Sequence, residues 1–486
     1  MEITVTRIDG GLHINPAPPY LLKYLKYQHR SMEIIKFKKT VTYNERLLYI
    51  VDPDGGIYTL QGFFQKICEL IHKNKDTYKV VDLRTPLPEI DWEAVKAVGP
   101  RDYQVDPIIE ALTQAREHSG IVNAAGGWGK TFAQALFYAA FNSLNTILAI
   151  PLKQVFNQTY EKFVKIFPNK HIGRVGGGYY DISQDITITT FKSLPKCAIE
   201  KCQLLLVDEL QASTGDTVQE TLTAIRPIRC FGFSATDGGM FNGADKVIKG
   251  LFGERLIHIP YDEALNVGAV VPGVVYMIKT PDMLLTASDP DVVLAKGIKK
   301  NVARNKLIAK ACTMVPEGWA TLTFVDHVQD HLIELYKLMP HGTKYLHRNS
   351  NKKELGDFAL TSKQQDVIAN AFANNEFQHL IATDAFRAGV DIPHVRVVIQ
   401  ASGGSSYVEV IQEALRGSRV LTEERRQELG VEPKTHFVLL DFQDNHHEFL
   451  ASQAQKRAML YRREGWDVRY VNSLSEIDWY DYKPKT

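Results

Sequence analysis

The chain is poor in cysteine: five in 486 residues, at positions 68, 197, 202, 230 and 312. An odd number without regular spacing excludes a disulfide framework and fits reduced thiols. Cys197 and Cys202 are neighbours, but no second pair or histidine cluster joins them, so core packing is expected rather than a metal site. No apolar run reaches the ~18 residues of a membrane span, so no membrane partner is expected. Met1-Glu2-Ile3-Thr4 lacks a basic stretch followed by an apolar one; no secretory leader is read and a cytoplasmic location is expected. An excess of either charge is also missing: 57 Lys and Arg oppose 56 Asp and Glu, a net charge of +1. That balance excludes a polybasic or polyacidic chain but not a polynucleotide partner, because a local basic stripe suffices. Short repeats and low-complexity tracts are absent, and no nuclease constellation is visible.

What is present centres on Ala124-Ala125-Gly126-Gly127-Trp128-Gly129-Lys130-Thr131. It follows an apolar run, Gly120-Ile121-Val122, and opens onto a helix-like run from Phe132 to Phe141. Strand, glycine-rich turn and helix form the setting of a phosphate-binding loop. Backbone N–H groups in such a turn cradle phosphates, and the helix N-terminus adds partial positive charge. Lys130 is expected to reach the β- and γ-phosphates, and the Thr131 hydroxyl to hold Mg²⁺. Ala125, Gly126, Gly127, Trp128 and Gly129 are the expected lining. Trp128 is a bulky residue that the pattern does not call for.

Downstream, Leu204-Leu205-Leu206-Val207 runs into Asp208-Glu209-Leu210-Gln211. A carboxylate at the end of a buried strand, beyond a phosphate loop, is where a Mg²⁺-binding acid belongs. Asp208 is expected to take the metal and Glu209 a proton from the attacking water. Phe231-Gly232-Phe233-Ser234-Ala235-Thr236 ends the next strand. Its two hydroxyls either couple to Gln211 and sense the nucleotide or simply cap the strand.

Four unbroken apolar runs, Thr146–Ile150, Ile186–Thr190, Gln203–Val207 and Arg229–Phe233, fit strands of a parallel sheet covered on both faces. A second series follows at Ala320–Val325, His379–Ala382, Val395–Gln400 and His436–Leu440. The expected fold is α/β, with two tandem parallel-sheet lobes joined near Tyr261 to Lys279. A small α+β domain is expected over 1–92, the first lobe over 93–262, the second over 263–445 and a helical tail over 446–486. In the N-terminal region, Lys23, Lys26, Arg30, Lys36, Lys38, Lys39 and Arg46 interleave with Tyr20, Tyr24, Tyr27, Phe37 and Tyr43. Such a mixture either grips phosphates and stacks on bases or is a solvated face over core aromatics. The turn Asp52-Pro53-Asp54-Gly55-Gly56 is expected to join strands Arg46–Val51 and Ile57–Leu60 as a hairpin, with a helix from Phe63 to His72.

These motifs resemble those of the superfamily 2 helicases and translocases. The family's phosphate loop, A-x-x-G-x-G-K-T, is matched by Ala124, Gly127, Gly129, Lys130 and Thr131, its D-E-x-x box by Asp208 to Gln211, and its Ser-Ala-Thr by Ser234 to Thr236. Arg101-Asp102-Tyr103-Gln104 resembles the element whose Gln reads adenine. Ile150 to Lys153, Thr187 to Leu194 and Thr321 to Val325 resemble motifs Ia, Ic and IV. Ala382-Thr383-Asp384 with Gly389 to Pro393 resembles motif V, and Gln412 to Arg419 motif VI. Two residues depart from the pattern: Leu415 replaces a Gly, and Gln211 replaces the commoner His or Asp.

The resemblance implies two RecA-like lobes sharing one ATP. It implies that Tyr103, Gln104, Gly389 and Asp391 help to bind the nucleotide, that Gln412, Arg416 and Arg419 serve catalysis, and that Gln211, Ser234, Ala235 and Thr236 couple hydrolysis to motion. Lys153, Thr190, Lys192 and Thr383 are the implied DNA contacts. The flanking regions are similar to those of phage UvsW-type and XPB-like helicases. That likeness implies branched or forked DNA as partner, branch migration and fork regression in recombination or repair, and the host cytoplasm if the chain is phage-encoded. An RNA helicase, a duplex translocase that leaves strands paired, a nucleotide-gated clamp and the motor subunit of a restriction enzyme are the alternatives.

Overall fold

Short unbroken apolar runs become buried parallel strands in two separate sheets. The computed structural model describes residues 1–35, 38–151, 153–197, 199–210, 212, 215–235, 245–383 and 392–482. The chain divides into two units: Met1–Ala125 with Gly129–Ile259, and Gly126–Trp128 with Pro260–Thr486.

The first unit begins with a five-stranded sheet in the order Tyr49–Val51, Ile57–Leu60, Gly11–Asn15, Glu2–Ile8, Thr77–Asp82. Ile3, Val5, Leu12 and Ile14 alternate inward and meet Ile67 and Ile71 of the helix Phe64–Lys73. The expected hairpin forms, pairing Val51 with Ile57. Its first arm is shorter than expected, because Arg46 and Leu47 belong to a separate antiparallel ribbon, Lys26–Ile35 against Lys38–Leu47.

This region has its own core yet is fastened to the larger sheet behind it. Tyr27, Leu48 and Leu60 pack into one apolar cluster with Val247, Leu251 and Phe252. Lys246 lies over the Tyr24 ring at 4.2 Å and donates to the Tyr24 carbonyl and, at 2.8 Å, to that of Lys26. Arg7 and Arg84 both donate to the Glu117 carbonyl, at 2.9 and 2.8 Å.

The larger sheet of the first unit has eight strands. Their order is Tyr179–Asp181, Ile172–Gly176, Ile186–Thr190, Thr146–Ile150, Leu204–Asp208, Arg229–Ser234, Gly120–Ala124, Arg255–Ile259. All pairs are parallel except the first. Parallel pairing brings the ends at Ala124, Ser234, Asp208, Ile150 and Thr190 to one edge, where crossover connections leave room for a ligand.

The second unit holds a seven-stranded, all-parallel sheet in the order Lys344–Leu346, His379–Ala382, Ala320–Phe324, Val395–Gln400, Phe437–Gln443, Gly273–Lys279, Asp467–Val471. Two regions differ from expectation. Gly273–Lys279, read as part of the joint, is an interior strand of this sheet. The stretch expected as a helical tail is helical over Glu448–Arg463, then adds Asp467–Val471 beside Gly273–Lys279. It completes the sheet, because an edge of unpaired backbone groups is stabilised by one more strand.

Two buried guanidiniums lock the ends of this second sheet. Arg304 donates to both oxygens of Asp444, at 2.8 and 3.2 Å, and to the Ala401 carbonyl at 2.8 Å. Arg457, on the tail helix, pairs with Asp441 at 2.8 Å and donates to the carbonyls of Gly403 and Gly404. The Tyr461 hydroxyl donates to the same Asp441, also at 2.8 Å. The loop so held, from Ala401 to Ser406, leads into the helix Tyr407–Ala414, which carries Gln412.

Candidate active site

The strand Gly120–Ala124 is buried along its whole length and ends in the turn that precedes the helix Lys130–Ala140. Gly127 and Gly129 take φ of +98° and +104°, the left-handed region that a side chain resists. Gly126 before them and Trp128 between them are not left-handed. Backbone that alternates hand in this way forms a concave nest of N–H groups suited to an anion. A Cβ on Gly129 would lie 2.8 Å from Nε2 of Gln104, so the loop needs glycine there for a second reason. Gln104 is fully buried, and its Oε1 accepts from the Arg101 N–H at 3.3 Å. Tyr103, half-buried beside it, takes a hydrogen bond from Arg101 at 2.6 Å. Trp128 is buried, and nothing else in the structure explains its choice.

Lys130 and Thr131 open the helix, both half-buried. The Lys130 ammonium donates to the Ala124 carbonyl at 3.3 Å, the strand-end acceptor within its reach. Asp208 ends the strand Leu204–Asp208, 7% exposed. Burial raises its pKa above the usual carboxylate range, and the neighbouring Glu209 raises it further; Lys130 and a hydrogen bond from Gln134 act in the opposite direction. That hydrogen bond, Gln134 Nε2 to Asp208 Oδ1, is 2.8 Å long. Glu209, just past the strand, is held at φ +46°. A non-glycine residue in that region stores strain, which persists where surrounding structure enforces it and clusters at functional sites.

Ser234 is fully buried at the end of the next strand and pairs in register with Asn123. Asn123 donates to the Ser234 carbonyl at 3.4 Å and shares a short hydrogen bond with His258. Ala235 follows; Gln211 and Thr236 lie outside the described residues, as do Gly389 and Asp391. Thr190, 7% exposed, ends its strand at the same edge, Lys192 beyond it is exposed, and Lys153 opens the helix Lys153–Ile166. The structure therefore brings Gln104, Lys130, Thr131, Asp208, Glu209 and Ser234 to one edge of the first unit's sheet.

In the second unit, Gln412 lies on the helix Tyr407–Ala414, with Arg416 and Arg419 just beyond it, all three half-buried. The segment is anchored by the Lys434 ammonium donating to the Arg419 carbonyl at 2.9 Å and by the Val271 N–H donating to that of Ser418 at 2.7 Å. Thr383, 4% exposed, follows the strand His379–Ala382. Sequence reasoning missed Gln134. Its signal was a lone amide inside the otherwise apolar run Phe132-Ala133-Gln134-Ala135-Leu136-Phe137.

A hydrated Mg²⁺ fits this donor set. Among the described residues Asp208 forms no ion pair; this buried carboxylate is bonded to the helix that follows the phosphate loop and feels the charge of Lys130 at that helix's start. The Oε1 of fully buried Gln134 is also an acceptor without a donor.

Residues 97–237 match the family described as type III restriction enzyme, res subunit, and residues 304–420 the helicase conserved C-terminal domain. A search of curated proteins by sequence gives no match. Among solved structures, a fragment described as the HsdR subunit of a type I restriction enzyme from Vibrio vulnificus covers 93% of this chain and 81% of its own, at 16% identity and a TM-score of 0.57. Saccharomyces cerevisiae Dbp5 bound to RNA and ADP BeF3 covers 78% and 95%, at 15% identity and a TM-score of 0.51. T4 UvsW covers 97% and 100%, at 16% identity and a TM-score of 0.42, too low for an argument from fold. The two matched families occur in helicase order, one on each of two RecA-like sheets, and the chain therefore belongs to the superfamily 2 helicases, enzymes that hydrolyse ATP.

Proposed function

We propose that the chain is an ATP-driven DNA helicase or translocase that acts on branched or forked DNA, in branch migration and fork regression. The observation that carries this reading is the N-terminal region fastened to the motor sheet. Through Lys246, Arg7 and Arg84 its position follows that of the first lobe. Its ribbon, Lys26–Ile35 with Lys38–Leu47, presents basic and aromatic residues, among them the exposed Tyr43. Such a surface suits a phosphate backbone and unpaired bases. In this reading residues 1–92 recognise the branch, 93–262 and 263–445 are the motor lobes, and the remainder buttresses the second.

In the first lobe, Lys130 neutralises the β- and γ-phosphates, Thr131 and Asp208 hold Mg²⁺, and Glu209 accepts a proton from the attacking water. Gln104 and Tyr103 line the base. Arg416 and Arg419 of the second lobe stabilise charge on the transferring phosphoryl group, assisted by Gln412, and Gly389 and Asp391 complete nucleotide binding. Because the two sets belong to different lobes, hydrolysis requires them to approach, and that motion drives stepping. Lys153, Thr190, Lys192 and Thr383 grip the backbone, which gives affinity without sequence preference and strong salt dependence.

The test is unwinding and branch migration on three-way and four-way junctions, with ATP against a non-hydrolysable analogue. ATP-dependent conversion of junctions over linear duplex supports the reading. Equal stimulation of ATP turnover by RNA would move the chain to the RNA helicases. A second reading, the motor subunit of a restriction enzyme, is favoured by the family match over residues 97–237. It predicts translocation that displaces a third strand from duplex without separating the duplex itself.

A further inference from the structure

The phosphate-loop helix carries one buried polar side chain that the family pattern does not require. Gln134 lies four residues after Lys130 on the helix Lys130–Ala140, hence on the same face one turn later. Its neighbours Ala133, Ala135, Leu136 and Phe137 are all buried apolar residues. A carboxamide in such surroundings costs stability unless its atoms are hydrogen-bonded. Half of that requirement is met: Nε2 donates to Asp208 Oδ1 at 2.8 Å. The other half is not, because Oε1 is buried and has no partner among the described residues.

This pairing joins the two elements whose spacing a nucleotide-bound cation must match, the helix after the phosphate loop and the strand Leu204–Asp208. Bonding to Oδ1 fixes the rotation of the carboxylate, whose oxygens keep lone pairs for another ligand. A neutral donor does so without cancelling the negative charge that attracts the metal. A lysine or arginine in the same place would cancel it. The unpartnered Oε1 is a buried acceptor beside Asp208, to which the water shell of a bound cation would supply a donor.

Resting on the assignment of the loop and Asp208 as the ATP site, we infer that Gln134 is a positioning residue for Mg²⁺: it orients Asp208 through Nε2 and receives a metal-bound water at Oε1. Partners that orient a metal ligand in this way typically set about 10–100-fold of metal affinity.

The experiment uses the full chain and follows the binding of fluorescently labelled ADP while MgCl₂ is titrated. It compares the parent with Gln134→Met, which keeps length and loses both polar atoms, and Gln134→Leu, which also loses both and adds no charge. Circular dichroism confirms folding of each. The expected result is a rise of about tenfold or more in the magnesium concentration that half-saturates the effect on ADP affinity, in both variants. Affinity for labelled ADP in EDTA stays within twofold of the parent, which a general loosening of the loop would not allow. A magnesium midpoint within twofold of the parent in either folded variant overturns the inference. A parent that binds labelled ADP neither with nor without magnesium instead overturns the assignment of the ATP site.

Discussion

Each unit of this protein buries carboxylates at the ends of parallel strands, but it provides for them in opposite ways. In the second unit Asp441 and Asp444 face the guanidiniums of Arg457 and Arg304, all four almost wholly shielded from water. Their hydrogen bonds continue into the carbonyls of Ala401, Gly403 and Gly404, so the charges are spent inside the fold. In the first unit Asp208 is nearly as buried, but among the described residues it forms no ion pair: the neutral amide of Gln134 and the Glu209 backbone bond it, and Lys130 acts on it only through its charge. A carboxylate with a charged partner holds structure together, whereas one kept in place by neutral donors stays open to a charged ligand. The contrast separates the scaffold from the working end of the molecule without reference to any motif.

The largest expected effect concerns the arginines rather than the carboxylates. Arg416→Ala should lower ATP turnover by about 10³-fold or more, as loss of an arginine finger does, while labelled ATP binds almost as before. Steady-state kinetics beside a binding titration check this, and a matching loss of affinity would assign Arg416 to binding. Next comes the scaffold pair. Asp441→Asn leaves buried Arg457 with only the more distant Asp444, at 4.0 Å, as a charged partner and should cost about 3 kcal/mol in chemical denaturation of the second unit. Asp208→Asn should abolish magnesium-dependent nucleotide binding yet leave stability unchanged or raised, because the charge removed is one that burial disfavours more than its neighbours favour it. If the two substitutions destabilise equally, the distinction between the carboxylates fails.

A smaller effect separates the units by pH. Burial lowers the pKa of His379 and His394, both in the second unit, to about 4. The unfolded chain therefore takes up protons first, between about pH 6.5 and about pH 4. Stability of the second unit is full above that window and falls as pH drops through it, on the order of 1 kcal/mol or more per histidine by pH 5. Denaturation at pH 7 and pH 5 measures the difference, and His379→Gln should reduce it.

Much of this architecture is legible in the sequence for one physical reason. Strands covered on both faces need apolar residues at every position, so Thr146–Ile150 and Leu204–Asp208 announce themselves as unbroken runs. Ile172–Gly176 does not, since two glycines and Arg174 dilute the run. Asp467–Val471 does not either: it is an edge strand with half-buried polar residues, and its partner Gly273–Lys279 lies far away in the sequence. The candidate site was legible as a pattern where a motif fixes spacing, from Gly127 to Thr131 and at Asp208 and Glu209. Gln134, Arg304 and Arg457 were not, because a buried polar residue becomes meaningful only once its partner across the fold is known.

Under the proposed function, the loop around Lys130 and the acid Asp208 form an ATP-hydrolysing site that DNA stimulates. The most direct test measures magnesium-dependent phosphate release with and without forked DNA, for the parent and for Lys130→Ala folded to the same circular dichroism spectrum. The account predicts DNA-stimulated turnover in the parent and none above background in the variant. Hydrolysis by Lys130→Ala at the parental rate would contradict it.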